Sequence, residues 1–162
     1  MTFNQTSALA RQFKLEPMDQ VSFIVRNMDQ ALPAYEALFG KFQVVTLPPM
    51  PAKYRGKDFS IQLKMAFAQA GSVEIEVIEA VGNSPPYSEH LERHGEGLHH
   101  VRFKVKNLQE TLQAMEAAGY EKIYWGGSSV RFAYVENPAK LGHTLLELCE
   151  GMPGPTMSQK KD

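Results

Sequence analysis

Apolar and polar residues alternate along this chain in short bursts, and the bursts come twice. Val21, Phe23 and Val25 mark the period-two apolar face of a strand. Asn27 follows as a helix N-cap, and a helical pattern runs on to Gly40, a residue suited to ending a helix. VSFIVRNMDQALPAYEALFG (21–40) lies on VRFKVKNLQETLQAMEAAGY (101–120) without a gap, at an offset of 80 and with eight of twenty positions identical. Val101, Phe103 and Val105 repeat the strand face, and Asn107 repeats the N-cap. Leu112, Ala114, Glu116 and Ala117 repeat Leu32, Ala34, Glu36 and Ala37 on the helix, and Gly119 stands where a terminator belongs. Pro33 falls in the early turns of the first helix, where it is tolerated better than further in.

More strand-like runs follow each helix: FQVVTL, SIQLKMAFAQ and SVEIEVIEA in the first half, EKIYW, SVRFAYVE and HTLLELCE in the second. Each half predicts β-α-β-β-β, so the chain is expected to be an α+β fold of two tandem βαβββ modules with pseudo-twofold symmetry. The predicted boundaries are an N-terminal extension (1–16), a first module (17–81), a connecting helix and loop (82–97), a second module (98–150) and a flexible tail (151–162). PPMPAKYRGKD is expected to be a longer loop, where the modules differ in length.

The face opposite the helices carries the chemistry. In the first strand it holds Gln20, Ser22 and Ile24; in the repeat it holds His100, Arg102 and Lys104. Strict alternation sends His99 to the helix-packed side and leaves His100 on the polar face. Glu76 lies between Ile75 and Val77, and Glu147 between Leu146 and Leu148. A carboxylate in an apolar strand is costly to desolvate unless it is paired or binds a cation. Twofold packing would bring Gln20, Glu76, His100 and Glu147 to one point. One imidazole, two carboxylates and an amide oxygen, with no sulfur, suit one divalent metal ion such as Zn, Ni, Co, Mn or Fe. Four protein ligands also leave positions open for substrate, as catalytic sites do.

Arg102 and Lys104 could grip a substrate carboxylate or phosphate, with Ser22 beside them. Tyr124 and Trp125, just before Gly126-Gly127, either wall a pocket or pack the core, and Trp125 is the substrate-binding candidate of the two. His90 and His94 share a helix face at a metal-capable spacing, but with nothing to join them they are expected on the surface. His143 has the parity of Glu147 yet sits roughly 13 Å away along a strand.

Composition mostly excludes. Hydrophobic residues make up 43% and charged residues 22%, the net charge is −1 and the pI is about 6.5. No global field points to nucleic acid or an anionic membrane. The lone Cys149 excludes an internal disulfide framework, fits a reducing compartment and is expected to be a small half-buried residue rather than a nucleophile. Residues 1–17 lack the apolar run of a secretory signal, and no stretch approaches the ~20 residues of a membrane span, so a soluble, cytoplasmic protein is expected.

GEGLHHVRFKV and VENPAKLGHTLLEL carry a resemblance to the vicinal-oxygen-chelate superfamily of glyoxalase I, methylmalonyl-CoA epimerase, extradiol dioxygenases and bleomycin-resistance proteins. It spans about residues 17–150, and the texture is most similar to the epimerase and its glyoxalase-like relatives. The resemblance implies a half-open barrel around a metal held by Gln20, Glu76, His100 and Glu147, the four already reached from parity. It also implies Lewis-acid activation of a carbonyl and proton transfer at the neighbouring carbon. Glu147 would shuttle the proton, with Glu76 the second catalytic carboxylate.

Departures from the family narrow the reading. The epimerases usually have His at the first ligand position and often Gln at the second. Their glutamate base aligns near Ser60, with Asp58 the nearest carboxylate. The Gln/Glu/His/Glu set resembles one type of glyoxalase I, but Ile24, Ala80 and Glu96 stand where its glutathione-binding residues belong, so glutathione is not expected. An extradiol dioxygenase needs two histidines and a carboxylate, and Gln20 takes one histidine position. The expected function is a divalent-metal-dependent isomerase, epimerase or lyase that stabilises an enolate. Its substrate would be a small carbonyl compound, such as a CoA thioester or a 2-oxo compound, and the protein a homodimer. The alternative is a metal-free small-molecule binding or resistance protein of the same fold.

Overall fold

The structure, a computed structural model, describes residues 7–151, so the tail expected over 151–162 lies outside the described residues beyond its first position. The first half runs β1 (Met18–Val25), α2 (Met28–Phe39), β2 (Gln43–Thr46), β3 (Met50–Tyr54), β4 (Lys57–Ile61), β5 (Leu63–Ala70) and β6 (Val73–Ala80). It is preceded by a short helix, α1 (Ala8–Gln12), and followed by α3 (Tyr87–His94). The second half runs β7 (Gly97–Lys104), α4 (Leu108–Ala117), β8 (Glu121–Gly126), β9 (Arg131–Glu136), α5 (Pro138–Leu141) and β10 (Leu145–Glu150). Asn27 and Asn107 cap α2 and α4, their side chains accepting from the backbone N–H of Gln30 and Glu110. Each cap contributes about 1 kcal/mol.

The strands form one sheet in the order β2-β5-β6-β1-β7-β10-β9-β8-β3-β4. The run β2-β5-β6-β1 is matched in reverse by β7-β10-β9-β8, so the sheet itself displays the twofold repeat. β1 and β7 meet antiparallel at its centre, each flanked on its other side by a parallel strand, β6 or β10. The outer face is covered by α2 over Val25, Met28, Ala66 and Val77, and by α4 over Val105, Leu108, Met115 and Leu148. The extension before β1 joins the second of these packings: Phe13 is buried there, and its carbonyl accepts from the Thr111 hydroxyl.

The loop expected over PPMPAKYRGKD is instead the β3–β4 hairpin, and SIQLKMAFAQ is divided between β4 and β5 at Gln62. Arg55 and Gly56, at φ 46° and 78°, make the two-residue left-handed turn that tight hairpins favour. β2 and β5 lie at one end of the sheet order, whereas β3 and β4 lie at the other, against β8. Three residues join β2 to β3 and one joins β5 to β4. Three residues span at most ~14 Å between the flanking Cα atoms, so the two ends of the sheet must curl toward each other. The expected curled half-barrel is therefore present, with a strap across its opening. Inside it, α3 contributes Tyr87 and Leu91 to a core with Ile24, Ile78, Tyr124 and Tyr134.

Candidate functional site

The four central strands β6, β1, β7 and β10 each send one member of the quartet to the inner face, Gln20 and Glu147 level with Arg102, and His100 and Glu76 level with Ser22. His100 Nε2 stands 3.2 Å from Gln20 Oε1, 3.2 Å from Glu147 Oε2 and 3.5 Å from Glu76 Oε2. The four residues proposed from the repeat are thus brought together. His100 is 0% and Gln20 1% exposed, whereas the Glu147 side chain keeps 13% of its surface open.

Its surroundings orient each member. The Gln20 amide donates from Nε2 to Glu74 Oε1 at 2.8 Å, which turns its carbonyl oxygen, the end able to bind a cation, toward His100. Arg102 Nε and Nη2 reach the two oxygens of Asp19 at 3.0 and 3.1 Å, and Nη2 also reaches Glu74 at 3.3 Å. Lys104 closes on Asp19 at 3.1 Å. Arg102 and Lys104 are therefore committed to internal ion pairs. Ser22 is wholly buried and faces both His100 and Glu76 across the strand pairings.

Three of the candidates stand elsewhere. Trp125 turns to the outer face, where Lys122 Nζ lies 4.4 Å above its ring, and it borders an apolar cavity of about 500 Å³ with Met50, Ile61 and Phe132. Asp58 is exposed on the strap and paired with Lys53, and Ser60 is exposed beside it. Cys149 is fully buried rather than half-buried, and burial pushes its thiol pKa up.

Alternation failed at His99. Ser22 pairs with His100 and Phe23 with Leu98, which leaves His99 as an extra residue, a β-bulge. A bulge re-aims side chains, and here both histidines enter the barrel. His99 is 0% exposed, and its Nδ1 lies 2.9 Å from Nδ1 of His100. Burial, together with His100 and His90 nearby, holds its pKa well below the ordinary value. The same device turns Asp19 inward on β1 and Ile123 inward on β8, at the breaks Met18/Gln20 and Lys122/Tyr124. Tyr134, cross-strand from Glu147, lies 4.8 Å from the His100 ring and joins hydroxyls with Tyr87 at 2.8 Å. That pairing could have been found by extending the parity of Glu147 one strand further. His143 reaches His94, ring on ring at 3.7 Å, and with His90 they line a cavity of about 240 Å³.

The two glutamates titrate apart. Burial raises Glu76 to about 7, with Glu147 adding to the effect and His100, Ser22 and Arg102 opposing it. Burial pushes Glu147 up too, but its hydrogen bond to His100 and the pull of His100 and Arg102 outweigh that and hold it below the ordinary range. Such divergence of two neighbouring carboxylates is what separates an acid from a base in many active sites.

A family model for the glyoxalase/bleomycin resistance protein/dioxygenase superfamily matches residues 19–134. The chain belongs to that superfamily. Among curated relatives, an uncharacterized Bacillus subtilis protein, YqjC, is 36% identical over 93 residues, 55% of this chain and 66% of its own length. A 4-hydroxyphenylpyruvate dioxygenase of Caenorhabditis briggsae is 31% identical over 142 residues, 82% of this chain but 34% of its own length. The chain thus spans about two thirds of the first relative and one third of the second. Among solved structures, a Streptomyces coelicolor methylmalonyl-CoA epimerase in complex with 2-nitronate-propionyl-CoA is similar with a TM-score of 0.62 at 19% identity, covering 86% of this chain and 99% of that one. A hypothetical protein from Bacillus halodurans C-125 gives a TM-score of 0.60 at 22% identity, covering 86% and 97%. These similarities establish the fold.

Superfamily members typically bind a divalent metal, and the donors here suit one. Ligands about 2.1 Å from a metal lie roughly 3.0–3.4 Å apart, close to the spacings from Nε2 to the three oxygens. All three spacings share Nε2, and among the described residues no group of three or more His, Cys, Asp or Glu is, as it stands, arranged to hold a metal. The three oxygens converge on Nε2, and a cation among them would take the place of a proton.

No helix among the described residues is long and apolar enough to cross a membrane.

Proposed function

We propose that the protein is a divalent-metal-dependent isomerase, epimerase or lyase that transfers a proton at the carbon beside a carbonyl. The observation that carries this reading is the buried convergence of Gln20, Glu76 and Glu147 on one nitrogen of His100. Gln20, Glu76, His100 and Glu147 would hold the metal, which when bound supplies Lewis-acid polarisation of a substrate carbonyl. Glu147 is the carboxylate that would take a proton and return it, with Glu76 the second catalytic carboxylate, and the two anions would balance the charge of the cation. Tyr87, Tyr134 and His99 exclude water around the transfer. A small carbonyl compound, such as a CoA thioester or a 2-oxo compound, is the substrate class, acted on by a cytoplasmic homodimer.

One observation favours a metal-free binding protein of the same fold: the oxygens of Gln20, Glu76 and Glu147 already converge on His100 Nε2 at hydrogen-bond and ion-pair distances. Metal analysis of protein purified without chelator separates the readings. Close to one equivalent of a first-row metal is expected, lost in His100→Ala. Less than about a tenth of an equivalent, with no binding of added cobalt, nickel or manganese, would sink the enzyme reading. A dioxygenase is disfavoured, because iron sites of that type use two histidines and a carboxylate, and Gln20 replaces one histidine.

A further inference from the structure

We propose that His99 is a positioning residue, which fixes the ring of His100 and the nitrogen on which it carries its proton, so that Nε2 is the one left to bind a cation. The inference rests on the metal reading above for its consequence, but not for its geometry.

Two imidazole nitrogens 2.9 Å apart share one proton: one must donate and the other accept. If His100 donates from Nδ1, its Nε2 keeps a lone pair directed at the oxygens of Gln20, Glu76 and Glu147. If it does not, Nε2 carries the proton and hydrogen-bonds to those same oxygens, which blocks the ligand position. His99 is what makes the first arrangement available, because it offers Nδ1 of His100 an acceptor in an interior where an unpaired N–H is costly.

His99 is itself held from the connecting helix as well as from the sheet, where Tyr134 meets it edge-on at 5.8 Å. Tyr87 stacks on its ring at 5.0 Å and 22°, and His90 meets it edge-on at 4.7 Å. Tyr87 is anchored through Tyr134, which packs against His100 from the other side. The remaining nitrogen of His99, Nε2, has no hydrogen-bond partner. When His99 accepts at Nδ1 its own proton sits on Nε2, and the missing partner there is the cost of presenting that acceptor to His100. Neighbouring groups that orient a ligand histidine typically change metal affinity 10–100-fold when removed.

The test compares His99→Phe, which keeps the stack and removes the acceptor, with His99→Asn, which keeps an acceptor near the place of Nδ1. Metal-stripped full chain is titrated with cobalt, nickel and zinc chlorides against a chromophoric chelator. Wild type and His99→Asn are expected within roughly threefold of each other, and His99→Phe at least roughly tenfold weaker. Equal affinities for all three overturn the proposal. Nitrogen-15 spectra of the metal-free proteins form the second arm, with the expectation that Nδ1 of His100 is hydrogen-bonded in wild type and altered in His99→Phe. Unchanged His100 nitrogens in His99→Phe overturn it whatever the metal result. If wild type binds no cation but the nitrogens do change, positioning stands and the enzyme reading falls. Should His99→Phe not fold, wild-type spectra lacking a hydrogen bond between the two Nδ1 atoms overturn the proposal.

Discussion

The two halves of this barrel share a backbone plan and differ in what they put on it. Gln20 and Glu76 of the first half stand where His100 and Glu147 stand in the second, yet Glu76 is raised to about 7 while Glu147 is lowered. The difference comes from their neighbours. At the repeat position of Arg102 the first half has Ser22, so the guanidinium beside the quartet belongs to the second half. It reaches back to Asp19 and Glu74 of the first half; its charge adds to the larger effect of the His100 hydrogen bond in favouring anionic Glu147, and it also opposes the rise of Glu76. Duplication supplied a symmetric frame, and a few asymmetric side chains gave two equivalent carboxylates different proton affinities.

The strongest way to break this comparison is to make the halves alike. Arg102→Ser installs the first half's residue and removes the buried guanidinium, leaving Asp19 to Lys104 and Glu74 to the Gln20 amide in a partly buried site. Breaking a buried pair in this way costs about 3–5 kcal/mol, which urea unfolding at neutral pH would detect. A loss below about 1 kcal/mol would mean that the network is solvated and the contrast between the halves superficial.

The next largest effect depends on pH. Glu76 has a folded-state pKa of about 7, above its ordinary 4.5, so the fold favours its neutral form. Metal-free protein should therefore lose stability as pH rises from about 4.5 through 7, by up to about 3 kcal/mol for the whole shift. Glu147, Asp19 and Glu150 are lowered, so their contribution has the opposite sign: it is present above the ordinary carboxylate range and lost as pH falls through it. Glu76→Gln should flatten the slope between pH 5.5 and 8, whereas Glu147→Gln, which removes only the contribution of Glu147 to the rise of Glu76, should reduce it less. Denaturant midpoints of the three proteins at both pH values sharpen the comparison, and identical slopes in all three would refute it.

The residues in these tests differ in how legible they were. Gln20, Glu76, His100 and Glu147 could be placed because period-two parity and an 80-residue offset are properties of the chain that folding preserves. Asp19 and His99 could not, since a bulge adds one residue to a strand without changing its composition, and the inward turn appears only once the partner strand is in place. Arg102 was legible as an inward-facing cation but not as a paired one, because Asp19 enters the barrel through such a bulge. The strap was hidden differently. Pro48, Pro49 and Pro51 suggest a loop, but beyond them buried Ala52 and Tyr54 alternate with exposed Lys53. That pattern is too short to outweigh the prolines, and pairing with β8 supplies the missing stabilisation.

The strap is also where the halves differ most in chain path, and the smallest prediction tests how much its turn matters. In the second half four residues join β8 to β9, while the corresponding connection of the first half grows into β3 and β4. Its turn needs left-handed backbone at both Arg55 and Gly56. A Cβ at Gly56 would meet nothing within 4 Å, so Gly56→Ala isolates backbone strain from crowding. A non-glycine residue in the left-handed region costs about 1 kcal/mol, and that loss is the expected change in urea stability. Hydrogen exchange should show the effect confined to β3 and β4, with β1, β6, β7 and β10 protected as in wild type. A loss of protection in the four central strands as well would show that the strap helps to hold the quartet together. The barrel would then depend on closure at its edge as well as on the repeat at its centre.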